Sequence, residues 1–353
     1  MTGQPLRVAV LGAGTVGREV VRAFLDAGET LRASDGATLI LAGVAVRNVG
    51  KAVASGIPEA LLTDAPAHLV ADPDVDVVVE LMGGEEPART LVAASLGAGK
   101  AVVTANKHVI AHHGPELEGL ARRTGATFRF EASVGGGIPV LGPIATELAA
   151  NRIQRVRGIL NGTTNFILTA MDQEGRDYDE VLAAAQAAGY AEADPTADVE
   201  GHDAANKLVI LARLAFGVWV DPATVALVDA GGPGHGRPGI TGVTSGDVTR
   251  ARAGGEVIKL IATAERGLDG AIVASVLPRR LPTTAELART DGVLNRIEIE
   301  ADPVGTVAFS GPGAGGAATS SAVLGDVVAI ARGLGSTWAG LAPAGVPPAG
   351  AGS

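Results

Sequence analysis

The residues best equipped for chemistry lie between Tyr190 and Lys207, in the order Tyr-Ala-Glu-Ala-Asp-Pro-Thr-Ala-Asp-Val-Glu-Gly-His-Asp-Ala-Ala-Asn-Lys. Five carboxylates (Glu192, Asp194, Asp198, Glu200, Asp203) share these eighteen residues with one lysine, in a chain whose charged fraction is 19%. Asp203 and Lys207 stand four apart, so on a helix they share a face and can pair. Taken alone, the stretch reads as a solvated acidic loop entering a helix, with that pair an ordinary surface contact worth about a few tenths of a kcal/mol. A second lysine, Lys107, closes Thr104-Ala105-Asn106-Lys107. Its position alone fits either a solvated loop cation or a working group.

The elements that must position these groups begin at the N-terminus. Leu6 to Leu11 is a short apolar run of the buried-strand type. It is followed by Gly12-Ala13-Gly14-Thr15-Val16-Gly17 and a helical pattern from Arg18 to Ala27, closed by Gly28. In this context Gly12 permits the tight turn, Gly14 lets the backbone approach a pyrophosphate, and Gly17 allows close helix–strand packing, which predicts dinucleotide binding at the helix N-terminus. The second strand, Leu39 to Val46, ends in Arg47-Asn48 where an NAD-selective fold usually places an acid. Arg47 with Lys51 therefore favours NADP, and nothing excludes NAD.

Strand and helix patterns then alternate: Val75 to Leu81 with Met82-Gly83-Gly84, a helix from about Glu85 to Leu96, Ala101 to Thr104, a helix from about Pro115 to Thr124, and Thr127 to Phe130. This spacing predicts an α/β, Rossmann-type doubly wound parallel sheet, with Gly83, Gly84, Thr104, Asn106 and Lys107 on its ligand-bearing edge. Glu131-Ala132-Ser133-Val134-Gly135-Gly136-Gly137-Ile138-Pro139 breaks the repeat and reads as a hinge. Its carbonyls and Glu131 could also hold a hard monovalent cation.

A second, α+β domain for catalysis and dimerisation is expected over 139–309, after a nucleotide domain over 1–138. It starts with a helix from Pro139 to Ala149 and a strand from Gln154 to Leu160, then the turn Asn161-Gly162-Thr163-Thr164-Asn165. Asp177 and Glu180 predict a capping box for a helix ending at Gly189, and a further helix runs from near His202 to Phe216. Weaker patterns fill 256–309. The second glycine turn, Ser310 to Thr319 with Gly315, leads into a helix from Ser321 to Arg332, so that 310–336 should return to the first domain and place its turn near the nicotinamide. The Pro-, Ala- and Gly-rich 337–353 should be disordered.

Composition narrows the chemistry. The 353 residues carry a formal charge of −10 with no basic block, which argues against nucleic acid or anionic membrane as partner. The absence of an apolar run of membrane length and of a signal peptide points to a cytoplasmic protein. Zero cysteine removes disulfides, thiolate metal sites and any cysteine nucleophile.

Together these motifs resemble the homoserine dehydrogenase family over about residues 6 to 333. The resemblance is carried by Gly-Ala-Gly-Thr-Val-Gly at 12, Thr-Ala-Asn-Lys at 104, Glu-Ala-Ser-Val-Gly-Gly-Gly at 131, Asn-Gly-Thr-Thr-Asn at 161, Gly-Tyr-Ala-Glu-Ala-Asp-Pro at 189 and Asp-Val-Glu-Gly-His-Asp-Ala-Ala-Asn-Lys at 198. It implies a homodimeric oxidoreductase linking L-homoserine and L-aspartate 4-semialdehyde in threonine and methionine biosynthesis, using NADP or NAD. It further implies that Tyr190, Glu192, Asp198, Asp203, Gly162 and Thr163 line the substrate site and that Lys107 and Lys207 serve catalysis. Glu131, Val134, Gly136 and Ile138 would surround a sodium or similar ion such as potassium. Many members carry a C-terminal regulatory domain, for which this chain stops too early.

The chemistry of such a substrate agrees with the residues. Its ammonium needs carboxylates, which Glu192 and its neighbours supply, and hydride removal from an alcohol requires a proton acceptor, for which Lys207, positioned by Asp203, is the first choice. Lys107 would polarise the alcohol oxygen, and the two lysines could exchange roles. Competing readings are another Rossmann-type reductase of a small polar alcohol or sugar, which leaves the acidic stretch unexplained, and a nucleotide-sensing regulator without enzymatic activity, which leaves the lysines unexplained. Aspartate-semialdehyde dehydrogenase lacks its cysteine here, and zinc alcohol dehydrogenases lack their ligands.

Overall fold

Six residues with a fully buried second half, Leu6–Leu11, form β1, and the glycine turn after it opens α1 (Thr15–Asp26). There follow β2 (Thr30–Arg32), β3 (Thr38–Ala45), α2 (Val49–Ala54), β4 (Leu62–Thr63), α3 (Pro66–Ala71), β5 (Val77–Glu80), α4 (Ala88–Gly97), β6 (Ala101–Thr104), α5 (Lys107–Thr124) and β7 (Phe128–Arg129). The strands make one seven-stranded sheet in the order β2-β3-β1-β5-β6-β7, with β4 paired to β3. All pairings are parallel except β2 with β3. The apolar runs read as central strands are buried because helices cover both faces of such a sheet.

This computed structural model describes residues 5–28, 30–32, 38–267, 269–338 and 340–344. They divide into two compact units, one of the described residues up to Thr146 with Ala314–Ala344, the other Glu147–Gly313. The first boundary falls after α6 (Leu141–Ala145) rather than at 138, because the Glu131 carboxylate accepts the N–H groups of Val140, Leu141 and Gly142 at 2.7, 2.8 and 2.8 Å and so binds α6 to the first unit. The helix expected from Pro139 to Ala149 is only these five residues.

The second unit holds β8 (Arg152–Ile159), α7 (Gly162–Glu174), α8 (Tyr178–Ala187), α9 (Thr196–Val199), α10 (His202–Phe216) and α11 (Ser245–Ala253). Four long strands follow, β9 (Glu256–Arg266), β10 (Ile272–Pro282), β11 (Leu294–Asp302) and β12 (Gly305–Pro312). Its sheet is antiparallel, in the order β10-β9-β8-β11-β12. The capping box expected at Asp177 and Glu180 is not formed. Asp177 stands at the N-cap without a side-chain bond, while Arg176 draws the Glu180 carboxylate to 3.7 Å. A capping box does open α11, between Thr244 and Asp247.

The last helix, α12 (Gly316–Ala331), belongs to the first unit, where Val323 and Val327 join the core formed by Val8, Val20, Phe24, Val79 and Val103. The chain past it departs from the expected disordered tail at its start. Thr337 donates to Phe128 O at 3.0 Å and accepts from Phe130 N, and Trp338, 3% exposed, packs edge-on against Phe128. Aromatic burial outweighs the Pro-, Ala- and Gly-rich composition at these two residues. Residues 345–353 of that expected tail lie outside the described residues.

Candidate functional site

In the first unit the glycine loop does what its spacing requires. Gly12 has φ +101°, and a Cβ there would stand 2.6 Å from Leu81 O. A Cβ on Gly17 would overlap the Gly12 carbonyl oxygen, whereas around Gly14 there is open space, so the backbone can meet a ligand closely. Gly12, Ala13, Gly14 and Thr15 line a cavity of about 850 Å³ together with Arg47, Lys51 and Gly83. Val16 and Gly17 lie behind this surface, inside α1. The same cavity is lined by Arg18, Asn48 and Ser55, which the motif reading omitted. Asn48 caps α2 by accepting the Lys51 N–H at 2.8 Å, which fixes the turn carrying both basic residues.

Gly84, Thr104, Asn106, Lys107 and Gly315 are not on that cavity wall. Three of them, Gly84, Thr104 and Asn106, belong to a hydrogen-bonded frame built on Glu80, a fully buried carboxylate at the end of β5. Glu80 Oε1 accepts the Met82 N–H at 2.7 Å, and Oε2 accepts the Thr104 hydroxyl at 2.6 Å. Thr104 Oγ1 in turn accepts the Asn106 N–H at 2.9 Å, and Asn106 Nδ2 donates to Gly84 O at 2.7 Å. The loops after β5 and β6 are thus tied into one ring. Burial pushes the Glu80 carboxyl up, opposed by these donors, above all Thr104. Asn106 also caps α5, and Lys107 is its first residue. This helix starts at 107 and runs through Pro115, where the sequence had suggested it begins; the proline forfeits one N–H, and the helix continues on buried Ile110, Leu117 and Ala121. Gly315 caps α12, and Gly316 packs where a Cβ would lie 2.9 Å from Thr15 O.

Of the expected cation ligands, Val134, Gly136 and Ile138 sit in one buried turn, with Gly135 and Gly136 left-handed. The Glu131 carboxylate points to α6 as described, and its N–H donates to Asp326 Oδ2 at 2.8 Å. Among the described residues no group of three or more His, Asp or Glu side chains could hold a metal.

In the second unit Asn161 is the organising residue. It caps α7 through the Thr164 N–H at 2.8 Å, and its Nδ2 donates to Asp198 Oδ1 at 2.7 Å and Asp203 Oδ2 at 2.9 Å. Asp203 Oδ2 also accepts Lys207 Nζ at 2.7 Å, and Leu160 O accepts a second Lys207 N–H at 2.7 Å. Asp203 and Lys207 are each 8% exposed, so this is no surface pair. Gly201, left-handed at φ +90°, turns the chain from α9 into α10 so that Asp198 and Asp203 both reach Asn161. Burial, and the Asp203 charge beside it, push the Asp198 carboxyl up.

Thr163 Oγ1 donates to Tyr190 O at 2.8 Å, and the Tyr190 ring, half-exposed, lies 4.8 Å from Phe166. Gly162 and Thr163 therefore share the first turn of α7 with the Asn161 cap. Glu192 is not drawn into this group: it is exposed, and its described contact is its carbonyl, which accepts from Gln186. Asp194 is exposed and accepts the Thr196 N–H, and Glu200 meets His202 at 3.3 Å. Glu80 and Asn161 were not among the predicted site residues. Each had a signal, a lone acid ending an apolar strand run and an Asn at a strand-to-helix turn.

Models of two families match the chain, homoserine dehydrogenase over residues 139–328 and the homoserine dehydrogenase NAD binding domain over residues 12–131. The homoserine dehydrogenase of Corynebacterium glutamicum is 46% identical over 334 residues, covering 94% of this chain and 73% of that protein. The enzyme of Mycobacterium leprae is 48% identical, over 92% of this chain and 72% of its own length. Among solved structures, a homoserine dehydrogenase from Thiobacillus denitrificans superposes with a TM-score of 0.87 at 38% identity, over 96% of this chain and 78% of that one. A hyperthermophilic archaeal homoserine dehydrogenase, solved in complex with NADPH, superposes with a TM-score of 0.76 at 27% identity, over 92% of this chain and 97% of that one. A nucleotide-binding glycine loop in one unit, a buried carboxylate–lysine pair in the other, and these likenesses along nearly the whole length place the chain in the homoserine dehydrogenase family of NAD(P)-dependent oxidoreductases.

Proposed function

We propose that the chain interconverts L-homoserine and L-aspartate 4-semialdehyde with NADP as its preferred cofactor and Lys207 as its proton carrier. The observation that carries this reading is the buried Lys207 ammonium, with two N–H groups committed to Asp203 Oδ2 and Leu160 O at 2.7 Å each. A dinucleotide held by the Gly12–Thr15 loop with Arg47 and Lys51 would supply the hydride acceptor for C4 of homoserine in oxidation and the hydride donor in reduction. Lys207, as the free amine, accepts the hydroxyl proton in oxidation; as the ammonium it supplies that proton in reduction. Asp203 aims the amine, Asn161 aims Asp203, and Asp198 supplies negative charge for the substrate ammonium. Tyr190, Gly162 and Thr163 are the proposed neighbours of the amino-acid moiety, and Lys107 is the second candidate for contact with the reacting oxygen. Glu192, exposed in this structure, is a further candidate carboxylate for the substrate ammonium.

Arg47 and Lys51 support NADP, since both line the nucleotide cavity at the end of β3, where a 2′-phosphate would be read. A sodium or potassium ion in the Glu131–Ile138 turn would rest on main-chain oxygens, because the Glu131 carboxylate already accepts three N–H groups.

The test is to follow reduced-nicotinamide absorbance at alkaline pH with L-homoserine and NADP or NAD. Reduction of NADP at the lower KM is expected, and no reduction of either would remove the reading. Lys207→Ala should lower kcat by about 10²- to 10⁴-fold with a much smaller change in KM. Unchanged turnover would move the proton transfer to another group.

A further inference from the structure

Lys259 lies in the middle of β9 and is 2% exposed, yet none of the steps above uses it. Its Nζ is surrounded by four acceptors, Thr290 O and Asp291 Oδ1 at 2.9 Å, and Asn165 Oδ1 and Thr169 Oγ1 at 3.1 Å. The first two belong to the loop leading into β11, the last two to α7. Burial pulls the Lys259 ammonium below the usual lysine range, and the Asp291 carboxylate opposes this. A buried cation is costly to a fold unless it is paired and hydrogen-bonded, so its partners are held firmly to it.

What these contacts, three N–H groups shared among four acceptors, hold together is the floor under the Asn161 cap. Asn165, oriented by giving its oxygen to Lys259, donates its amide protons to Thr290 O at 2.9 Å and Leu294 O at 3.1 Å. Thr169 Oγ1 accepts the Gly292 N–H at 3.3 Å. The loop between these anchors lays Val293 O against the start of α7, so closely that a Cβ on Gly162 would stand 2.9 Å from it. Asn165 N in turn donates to Asn161 O at 3.3 Å, one helical turn back.

We propose that Lys259 is a positioning residue for the reaction: it locks the Thr290–Leu294 loop onto the first turn of α7, fixing Gly162 and the Asn161 side chain that orients Asp198, Asp203 and Lys207. The proposal rests on the assignment of those residues to the homoserine side of the reaction. It makes the loop carbonyl at Val293 a part of the substrate site's architecture, although the loop's apolar side chains, Val293 and Leu294, face solvent at 40% and 42% exposure.

The experiment is steady-state kinetics of the full chain carrying Lys259→Met, Lys259→Arg or Asp291→Asn, with homoserine and NADP varied separately. Lys259→Met is expected to raise KM for homoserine and lower kcat, together reducing kcat/KM for homoserine roughly 30-fold, while KM for NADP stays as in the unsubstituted protein. Lys259→Arg should recover part of the loss by restoring charge and donors. A purely structural role would instead reduce the active fraction, lowering apparent kcat alone with both KM values kept, and that result overturns the proposal. Should Lys259→Met fail to fold, Asp291→Asn decides: it removes one charged partner at the surface end, and about a threefold rise in homoserine KM is expected. Unchanged kinetics there overturns the proposal. Failure of the underlying reading looks different, as a Lys207→Ala variant that keeps its turnover.

Discussion

Asn161 and Lys207 meet on one oxygen: Asp203 Oδ2 accepts the Asn161 amide at 2.9 Å and the Lys207 ammonium at 2.7 Å. The same amide nitrogen donates to Asp198 Oδ1, so Asn161 ties the half-buried Asp198 carboxylate and the buried Asp203 carboxylate into one arrangement. Replacing it with Ala should lower kcat/KM for homoserine about 10- to 100-fold with little effect on KM for NADP. Loss of the α7 cap should also cost about 1 kcal/mol, seen as a lower Tm. Kinetics with the two substrates varied separately check this, and an equal loss for both would overturn it.

The Asp198 carboxyl, raised by burial and by Asp203, sets a pH dependence. In its proposed role Asp198 would hold the homoserine ammonium only when ionised, so KM for homoserine should rise as pH falls through a value above the ordinary aspartate range, and be level above it. For stability the sign is opposite. A carboxyl raised in the folded state favours the fold at pH below its unfolded value, and this contribution is lost as pH rises through the folded value. Asp198→Asn should flatten the acid limb of the KM profile; a limb that persists unchanged would belong to another group.

Arg47 and Lys51 lie on the cavity wall opened by the Asn48 cap. Arg47→Ala should raise KM for NADP roughly tenfold or more and leave KM for NAD within about twofold, because in the proposed role the guanidinium would engage only a phosphorylated ribose. Initial rates with both cofactors check this, and parallel losses would show that Arg47 holds the nucleotide in some other way.

Glu80 should behave in the contrary manner. Its ring through Thr104, Asn106 and Gly84 serves both loops without regard to the 2′ position. Glu80→Ala is expected to raise KM for NADP and NAD alike and to cost about 2–3 kcal/mol of stability by stranding buried donors. Selectivity should be unaltered, as measured by the ratio of the two kcat/KM values. A changed ratio would place Glu80 in the ribose site.

The parts of this architecture legible in the sequence are those with a strong local period or a fixed steric demand. Val8 to Leu11 and Val77 to Glu80 are buried strands because helices on both faces leave nothing polar to point outward, and Gly12 and Gly17 answer contacts that no side chain could satisfy. Glu80 and Asn161 carried local signals, but the partners of Glu80, Asn161 and Lys259 were not legible. Each depends on partners 24 to 94 residues away, such as Thr104, Asp203 and Asn165, and no local pattern announces such a pairing. Asp177 shows the converse, a correct local signature left unused because a neighbouring arginine competes for Glu180. Glu192 was expected at the substrate from the resemblance and from an ammonium's need for carboxylates, and the fold leaves it exposed while Asp198, six residues on, is drawn in.

α12 brings Val323 and Val327 into a core whose other members lie before residue 133, each buried valine contributing about 2 kcal/mol. The nucleotide unit is therefore discontinuous in the chain, with the whole of 147–313 inserted between its two parts. On the ribosome, the second unit has all of its described residues while the first still waits for its last helix. The unit that begins second is thus complete first, with the antiparallel sheet able to form before the dinucleotide fold, which is completed only when α12 emerges.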